Sequence, residues 1–587
     1  MIKLLKKLDM KDYLYILICF ALIVLQVFLD LKIPDYMSEI TRLVQTAQPS
    51  MNKILIQGLY MLICAFGSLI SAFIVGYFTS SIGASFSRKI RKEIFEKVES
   101  FGMQEIKQFS TSSLITRTTN DVTQVEMFLS MGLQMLIKAP TMAIWAILKI
   151  VNKNIEWSLL TLGGVLILLI TVICLMIVVI PRFKVVQRLI DKINGVSREN
   201  LTGIRVIHAF NAEKFQCDRF EEVNNDLTNL QLFNQKAFAL LMPIMNLVMH
   251  GLTLGIYFIG AILINQATLS NKINLFSDMV VFSSYSMQVI MSFLMLALIF
   301  MMFPRASVSS KRINEVLDTD PSIKDGKLIS GKKGLTGTIE FNDVSFKYPD
   351  ADEYLIKNIS LKVNKGETIA FIGSTGSGKS TLINLIPRFY DVTDGEILVD
   401  GVNVKEYKLN ALHNKLGYVS QKAFMFDGSV KDNIAYGENG KDDISLKKVK
   451  EAIKVAQGEE FVTKMEGCYE AHIARGGTNV SGGQKQRLSI ARAIARDPEI
   501  YIFDDSFSAL DYQTDSILRK ELKKYTKDAT SIIVAQRIGT VLNADKIVVL
   551  DRGECVGIGT HKELLKNCDV YKEIAYSQLS KEELENA

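Results

Sequence analysis

Six stretches of this sequence stay apolar for long enough to cross a bilayer as helices, and they decide what its first half can fold into. A hydrocarbon core about 30 Å thick takes about 20 apolar residues in a helix, and backbone inside it must satisfy its own hydrogen bonds. The stretches run from Tyr13 to Asp30, Ile54 to Ser87, Met127 to Leu148 with Lys138 inside, Trp157 to Pro181, Ala237 to Asn265, and Met279 to Pro304. Beyond Pro304, charged and apolar residues alternate as in a soluble α/β domain, so the mean hydropathy of +0.20 averages two unlike halves. The pattern predicts a six-helix α-helical transmembrane domain with cytoplasmic helix extensions over 1–304, a charged connector over 305–333, and an α/β phosphate-loop domain over 334–587. The basic, amphipathic start from Met1 to Tyr13 reads as an interfacial elbow into a retained helix, with no removed signal.

Lysine and arginine placement sets the orientation. Arg88, Lys89, Arg91, Lys92 and Lys97 follow the second stretch, and Arg182, Arg188, Lys192 and Arg198 follow the fourth. The opposite loops carry little positive charge, so both termini, the two long loops and the soluble domain are predicted to face the cytoplasm. Ile90 to Asp121 and Phe183 to Asn224 keep helical apolar spacing and read as membrane helices continued into the cytosol. Each contains a polar stretch suited to a transverse contact helix, Ser110 to Val122 and Leu201 to Ala212. The net charge of +6 is spent mostly beside apolar segments, which argues against nucleic-acid binding. Seven scattered cysteines show neither metal spacing nor a disulfide framework.

Three intramembrane features each admit two readings. Lys138 is either a contact for an anionic substrate or, the favoured reading, a side chain snorkelling to the inner headgroups. His250 is a proton or substrate site or, again favoured, a satisfied interhelical histidine. Met287, Met291, Met295, Met301 and Met302, near Tyr285 and Gln288, suit both adaptable apolar binding and helix packing.

The soluble half carries phosphate chemistry. A strand-like run from Thr368 feeds Gly373, Ser374, Thr375, Gly376, Ser377, Gly378, Lys379 and Ser380, and Thr381 continues a helix. This is G-x-x-x-x-G-K-[ST] in the strand–loop–helix setting that the phosphate-binding loop needs. Its glycines let backbone N–H groups close around phosphate oxygens, Lys379 reaches the β/γ phosphates, and the Ser380 hydroxyl holds Mg²⁺. A second apolar run from Ile500 ends in Asp504 and Asp505, and Asp504 is placed to hold Mg²⁺ through water.

Val480, Ser481, Gly482, Gly483 and Gln484 then open a helical run, and here the chain resembles the ATP-binding-cassette (ABC) transporter family, whose signature reads LSGGQ. Six helices followed by one cassette is the layout of a half-exporter of that family. The resemblance implies that ATP with Mg²⁺ is clamped between one subunit's phosphate loop and the other's signature. It further implies that Tyr348 stacks on adenine, that Gln421 senses Mg²⁺ and water, that Asp511 lies in a loop communicating between the two sites, and that the two contact helices couple cassette to membrane domain.

Two residues depart from the family pattern. A glutamate that activates water is replaced by Asp505, one methylene shorter, and the usual histidine by Gln536, which cannot become a cation. The segment from Ala474 to Gly477 also lacks the family's acidic residue. With Asp505, Gln536 and Gln421 forming a degenerate site beside an almost intact signature, the resemblance points to one subunit of a bacterial heterodimeric multidrug-type exporter. Its partner would be a second, non-identical half-transporter bearing the competent glutamate, and its substrate an amphipathic drug, lipid or peptide carried across the bacterial cell membrane. A homodimer with two slow sites and an ATP-regulated importer or gating subunit remain alternatives.

Overall fold

The structure is a computed structural model describing residues 1–45, 50–151, 154–441 and 443–579. It forms two compact units, one made of Met1–Glu99 with Ser112–Thr319 and the other of Ser100–Thr111 with Asp320–Ala587.

In the first unit, helices long and apolar enough to span a membrane cover Met10–Val44, Met51–Glu99, Thr111–Val151, Ile155–Arg182, Glu213–Gln266 and Asn271–Asp318, matching the six predicted stretches. At 1.5 Å per residue the helix Met51–Glu99 is about 74 Å long, more than twice the hydrocarbon core. Its apolar residues Leu55, Leu69 and Phe73 point outward, as a lipid-facing surface requires. Inward-facing Trp157, Phe282 and Tyr285 are fully buried, with the Trp157 and Phe282 rings 5.3 Å apart. Glycines allow close helix approach at two reciprocal points: a Cβ at Gly164 would lie 2.7 Å from Leu252, and one at Gly255 would lie 2.6 Å from Leu160.

The favoured readings of Lys138 and His250 both need correction. Lys138 Nζ lies 3.4 Å from Asp30 Oδ2 in the interior of the helix bundle. Lys138 therefore has a carboxylate partner inside the unit, where the snorkelling reading expects headgroups. His250 is exposed on the surface of the unit and no hydrogen bond holds it among the described residues. Tyr285 donates to Leu31 O at 3.1 Å and to Asp35, which also pairs with Lys149 at 2.7 Å. The Met301 side chain lies outside the described residues.

The third membrane helix contains two π-helical turns, Arg117–Asp121 and Phe128–Gly132. Buried Asp121 is fixed there by Ser309 at 2.8 Å and Arg312 at 3.3 Å.

The second unit is built on a six-stranded sheet. Thr368–Gly373 lies between Thr530–Val534 and Lys546–Asp551, and Ile500–Asp504 lies between Thr530–Val534 and Leu416–Val419, all parallel. Antiparallel Glu554–Gly559 closes one edge. Ile500–Asp504 and Thr530–Val534 are buried throughout, which suits their mainly apolar sequences, IYIFD and TSIIV. A four-stranded antiparallel sheet beginning with Ile339–Phe346 packs beside it. Fully buried Asp400 is matched by Lys415 at 2.7 Å, which also reaches Glu499 at 2.8 Å.

The transverse helix predicted over Ser110 to Val122 is also displaced. It forms at Met103–Phe109, within the second unit, because Glu105 accepts from Gly102 N at 2.9 Å and from Ser322 N at 3.1 Å. Ser110, with φ of 58°, breaks that helix, and the residues after it enter the third membrane helix. A short helix also forms at Ile204–Ala209, inside the other predicted stretch.

Two stability measurements test this packing. Gly255→Leu should drive the helices against Leu160 apart at a cost of about 1–3 kcal/mol, lowering the melting temperature of the purified chain. Gly251→Leu, where a Cβ meets nothing within 4 Å, should leave it unchanged. Lys415→Met should destabilise the cassette by about 3–5 kcal/mol in denaturant titrations, because Asp400 would keep its charge without a partner; an unchanged midpoint would count against the buried pair.

Candidate nucleotide site

The polar residues of the candidate site follow the carboxyl ends of neighbouring parallel strands. Gly373 ends one strand, Asp504 ends a second, Gln421 follows Val419 at the end of a third, and Gln536 follows Val534 at the end of a fourth. Ligands in open parallel sheets sit at that edge, where loops diverge and strand dipoles end. Four segments distant in sequence therefore meet in one place.

The phosphate loop curls around its own lysine. Lys379 Nζ donates to Gly373 O at 2.8 Å and to Ser374 O at 2.7 Å, and lies 3.3 Å from Ser377 Oγ. Gly378 has φ of 94°, and a Cβ there would strike Ile356 at 2.4 Å. At Gly376, with φ of 84°, a Cβ would meet nothing, so that stretch of backbone is open to a ligand. Thr375 lies between Ser374 and Gly376 on the exposed arch. Burial lowers the Lys379 pKa against the pull of Asp505 and Asp504. A bound polyphosphate would supply the negative partner that the loop's carbonyls now imitate.

Ser380 Oγ donates to Asp504 Oδ1 at 2.7 Å. Burial pushes the Asp504 carboxyl above its usual range, with the neighbouring Asp505 adding to the shift. A serine hydroxyl and an under-compensated carboxylate are hard oxygen donors that fit Mg²⁺, which keeps waters and takes one or two carboxylates beside phosphate. Ser380 and Asp504 would hold the ion, with Gln421 nearby.

Asp505 is different. Its φ is 45°, its backbone N–H donates to Val534 O at 3.0 Å, and its side chain is buried. Two neutral amides converge on one of its oxygens: Gln536 Nε2 donates to Oδ2 at 2.9 Å, and Gln421 Nε2 lies 3.4 Å from it. Burial raises the Asp505 pKa, and these amides work in the opposite direction. Gln536 is itself held from behind. Gln578 donates to Gln536 O at 2.8 Å and accepts from Ile538 N at 2.8 Å, a clamp that sequence reading missed because it joins the C-terminal segment to a distant loop.

On the other side of the loop, Tyr348 Oη is 3.1 Å from Thr381 Oγ1, and its ring packs edge-on against Tyr390. Lys107 of the displaced transverse helix lies 5.6 Å from the centre of the Tyr348 ring and pairs with Asp350 at 2.8 Å. Sequence reading missed Lys107 too; the G-x-x-E capping pattern at Gly102 to Glu105 was the available signal.

Ser481 caps the helix Gly482–Arg496 through a reciprocal box with Gln484: Ser481 Oγ accepts from Gln484 N at 3.3 Å, and Gln484 Oε1 accepts from Ser481 N at 2.8 Å. Val480 is buried and serves as the anchor, where leucine would do the same. A Cβ at Gly482 would meet nothing within 4 Å, whereas one at Gly483 would press on Ala509 O at 3.2 Å. Gly482 thus leaves an open backbone surface, and Gly483 permits contact with the loop leading to Asp511. Asp511 caps the next helix by accepting from Thr514 N at 2.9 Å. The signature and the loop leading to Asp511 lie next to each other.

Comparison with known proteins agrees with both halves. The ABC transporter transmembrane region matches residues 16–293, and the ABC transporter family matches residues 356–508. An uncharacterized ABC transporter ATP-binding protein of Mycobacterium tuberculosis is 38% identical over 526 residues, covering 89% of this chain and 88% of its own. An ATP-dependent lipid A-core flippase of Pseudoalteromonas translucida is 32% identical over 515 residues, covering 87% and 86%. The solved structure of a bacterial Atm1-family ABC exporter with ATP bound superposes with a TM-score of 0.80 at 23% identity, covering 97% of this chain and 99% of that one. The chain belongs to the ABC transporter family, as an exporter-type half-transporter whose six membrane helices and single ATP-binding domain make one half of a working dimer.

Proposed function

We propose that this chain is the catalytically degenerate half of a heterodimeric exporter of amphipathic molecules. The tethered carboxylate of Asp505 carries the reading. Aspartate ends about 1.5 Å short of glutamate, and Gln536 holds its Oδ2 at 2.9 Å within the chain. Attack on the γ-phosphate needs a water held in line, and a displacement of about 1 Å can cost about a hundredfold in rate. Gln536 can donate to a phosphate but cannot add a positive charge as charge builds up in transfer.

The signature surface supports the complementary half of the proposal. Ser481 and the open backbone at Gly482 keep the form needed to complete a site whose phosphate loop belongs to another subunit. In that arrangement Lys379, Ser380, Asp504 and Tyr348 bind Mg-ATP and release it slowly, while the partner's glutamate does the hydrolysis facing this chain's signature. ATP binding closes the cassettes and turns the cavity outward, and hydrolysis resets it. The lipid A-core flippase among the relatives supports an amphiphile as cargo, and the lysine and arginine distribution supports cytoplasmic termini and cassette in a bacterial cell membrane. A homodimer with two slow sites is the second reading, since neither Asp505 nor Gln536 prevents ATP binding.

Two measurements test this. The purified chain alone should show little ATPase, and co-purification from its native membrane should bring a second half-transporter; vigorous turnover by the lone chain, abolished by Lys379→Ala, would contradict it. In the pair, Asp505→Ala should leave most turnover intact, whereas Ser481→Arg should lower it by about a hundredfold or more. Equal losses would contradict the asymmetric assignment.

A further inference from the structure

A cavity of about 460 Å³ lies among the helices Met10–Val44, Leu133–Val151 and Leu269–Asp318. Met37, Met142, Met287, Met291 and Met295 form its apolar wall. The last three recur every fourth residue and so share one helix face. Its polar side consists of Asp30, Lys138 and Gln288.

The hydrogen bonding of that polar side is unevenly met. Asp30 Oδ1 accepts from Ser68 Oγ at 2.5 Å, and Oδ2 faces Lys138 Nζ at 3.4 Å. Among the described residues that carboxylate is the one ionic partner of Lys138, which has three N–H donors. Gln288 Nε2 donates to Asp30 O at 3.4 Å, while Gln288 Oε1 is buried with no hydrogen-bond partner. The cavity serines Ser284 and Ser292 turn their hydroxyls back to Val280 O and Gln288 O of their own helix. Spare donors thus face spare acceptors across a site whose formal charge is zero.

A poorly solvated charge pair often costs more than apolar packing of the same volume, and one whose side chains line a cavity is placed for use. A purely anionic ligand on Lys138 would leave Asp30 uncompensated in a poorly solvated place, and a purely cationic ligand on Asp30 would leave Lys138 so. A headgroup bearing both charges satisfies each and keeps the total at zero. Methionine thioethers adapt to apolar chains of varied shape.

We propose that this cavity binds amphiphiles with a zwitterionic headgroup, the anionic group on Lys138, the cationic group on Asp30 and Gln288 Oε1, and the tail along the methionines. The site specifies the cargo class of the exporter reading, on which it rests for transport but not for binding.

Equilibrium competition against a fluorescent amphiphile, on the full-length chain in a non-ionic detergent, tests it with three probes of equal tail length. Dodecylphosphocholine should bind about tenfold tighter than dodecyl phosphate or dodecyltrimethylammonium. Lys138→Met should move the cation to first place, and Asp30→Asn the anion. Asp30→Asn with Lys138→Met removes both charges together, so it should fold even where a single change does not, and its three affinities should converge. A parent chain that does not prefer the zwitterion, or a double variant that keeps the parent's order, would overturn the proposal. Either result would leave the hydrolytic asymmetry untouched, because no ATP turnover is measured.

Discussion

The chemistry of the cassette hangs from the carboxyl edge of one buried parallel sheet. The pairing of Asp504 with Val534, and of Phe503 with Val419, sets which residues can meet there. Strands buried on both faces fix that register, so Asp504, Asp505, Gln421 and Gln536 arrive together whatever their distance in sequence. The same edge bears the phosphate loop, with Ser380 already bonded to Asp504. The Ser380–Asp504 contact and the Gln536–Asp505 contact thus occupy one frame.

The membrane unit follows another rule. Its outward faces are apolar because lipid is their solvent, so specificity must come from the few polar groups turned inward. Asp30 with Lys138 and Asp35 with Lys149 both join the first membrane helix to the third. The Asp35 pair is additionally tied by Tyr285 and serves packing, whereas the Asp30 pair borders a cavity. Similar charges in similar helices therefore do different work, according to what else reaches them.

Much of this was legible in the sequence where the information is local. The six spans follow from runs of apolar residues, and the phosphate loop and signature follow from glycines whose backbone roles admit few substitutes. Where meaning depended on a distant partner, sequence fell short. Lys138 reads as a snorkelling residue until Asp30 is found opposite it, and Gln578 carries no sign that it clamps the loop at Gln536. Polar spacing after Ser110 resembles the capped turn before it, so the sequence places too late the short helix that forms at Met103–Phe109. The sequence reads His250 as a packed residue, whereas its helix turns it outward.

A single turnover would test hydrolytic asymmetry directly. The native complex would be loaded with a photoactivatable ATP analogue, arrested with vanadate after one cycle, and each subunit's crosslinked nucleotide identified. Triphosphate at this chain's Tyr348 cleft and diphosphate at the partner's cleft is the predicted result. Diphosphate in equal amounts at both clefts, or two copies of this chain alone in the active complex, would contradict the account.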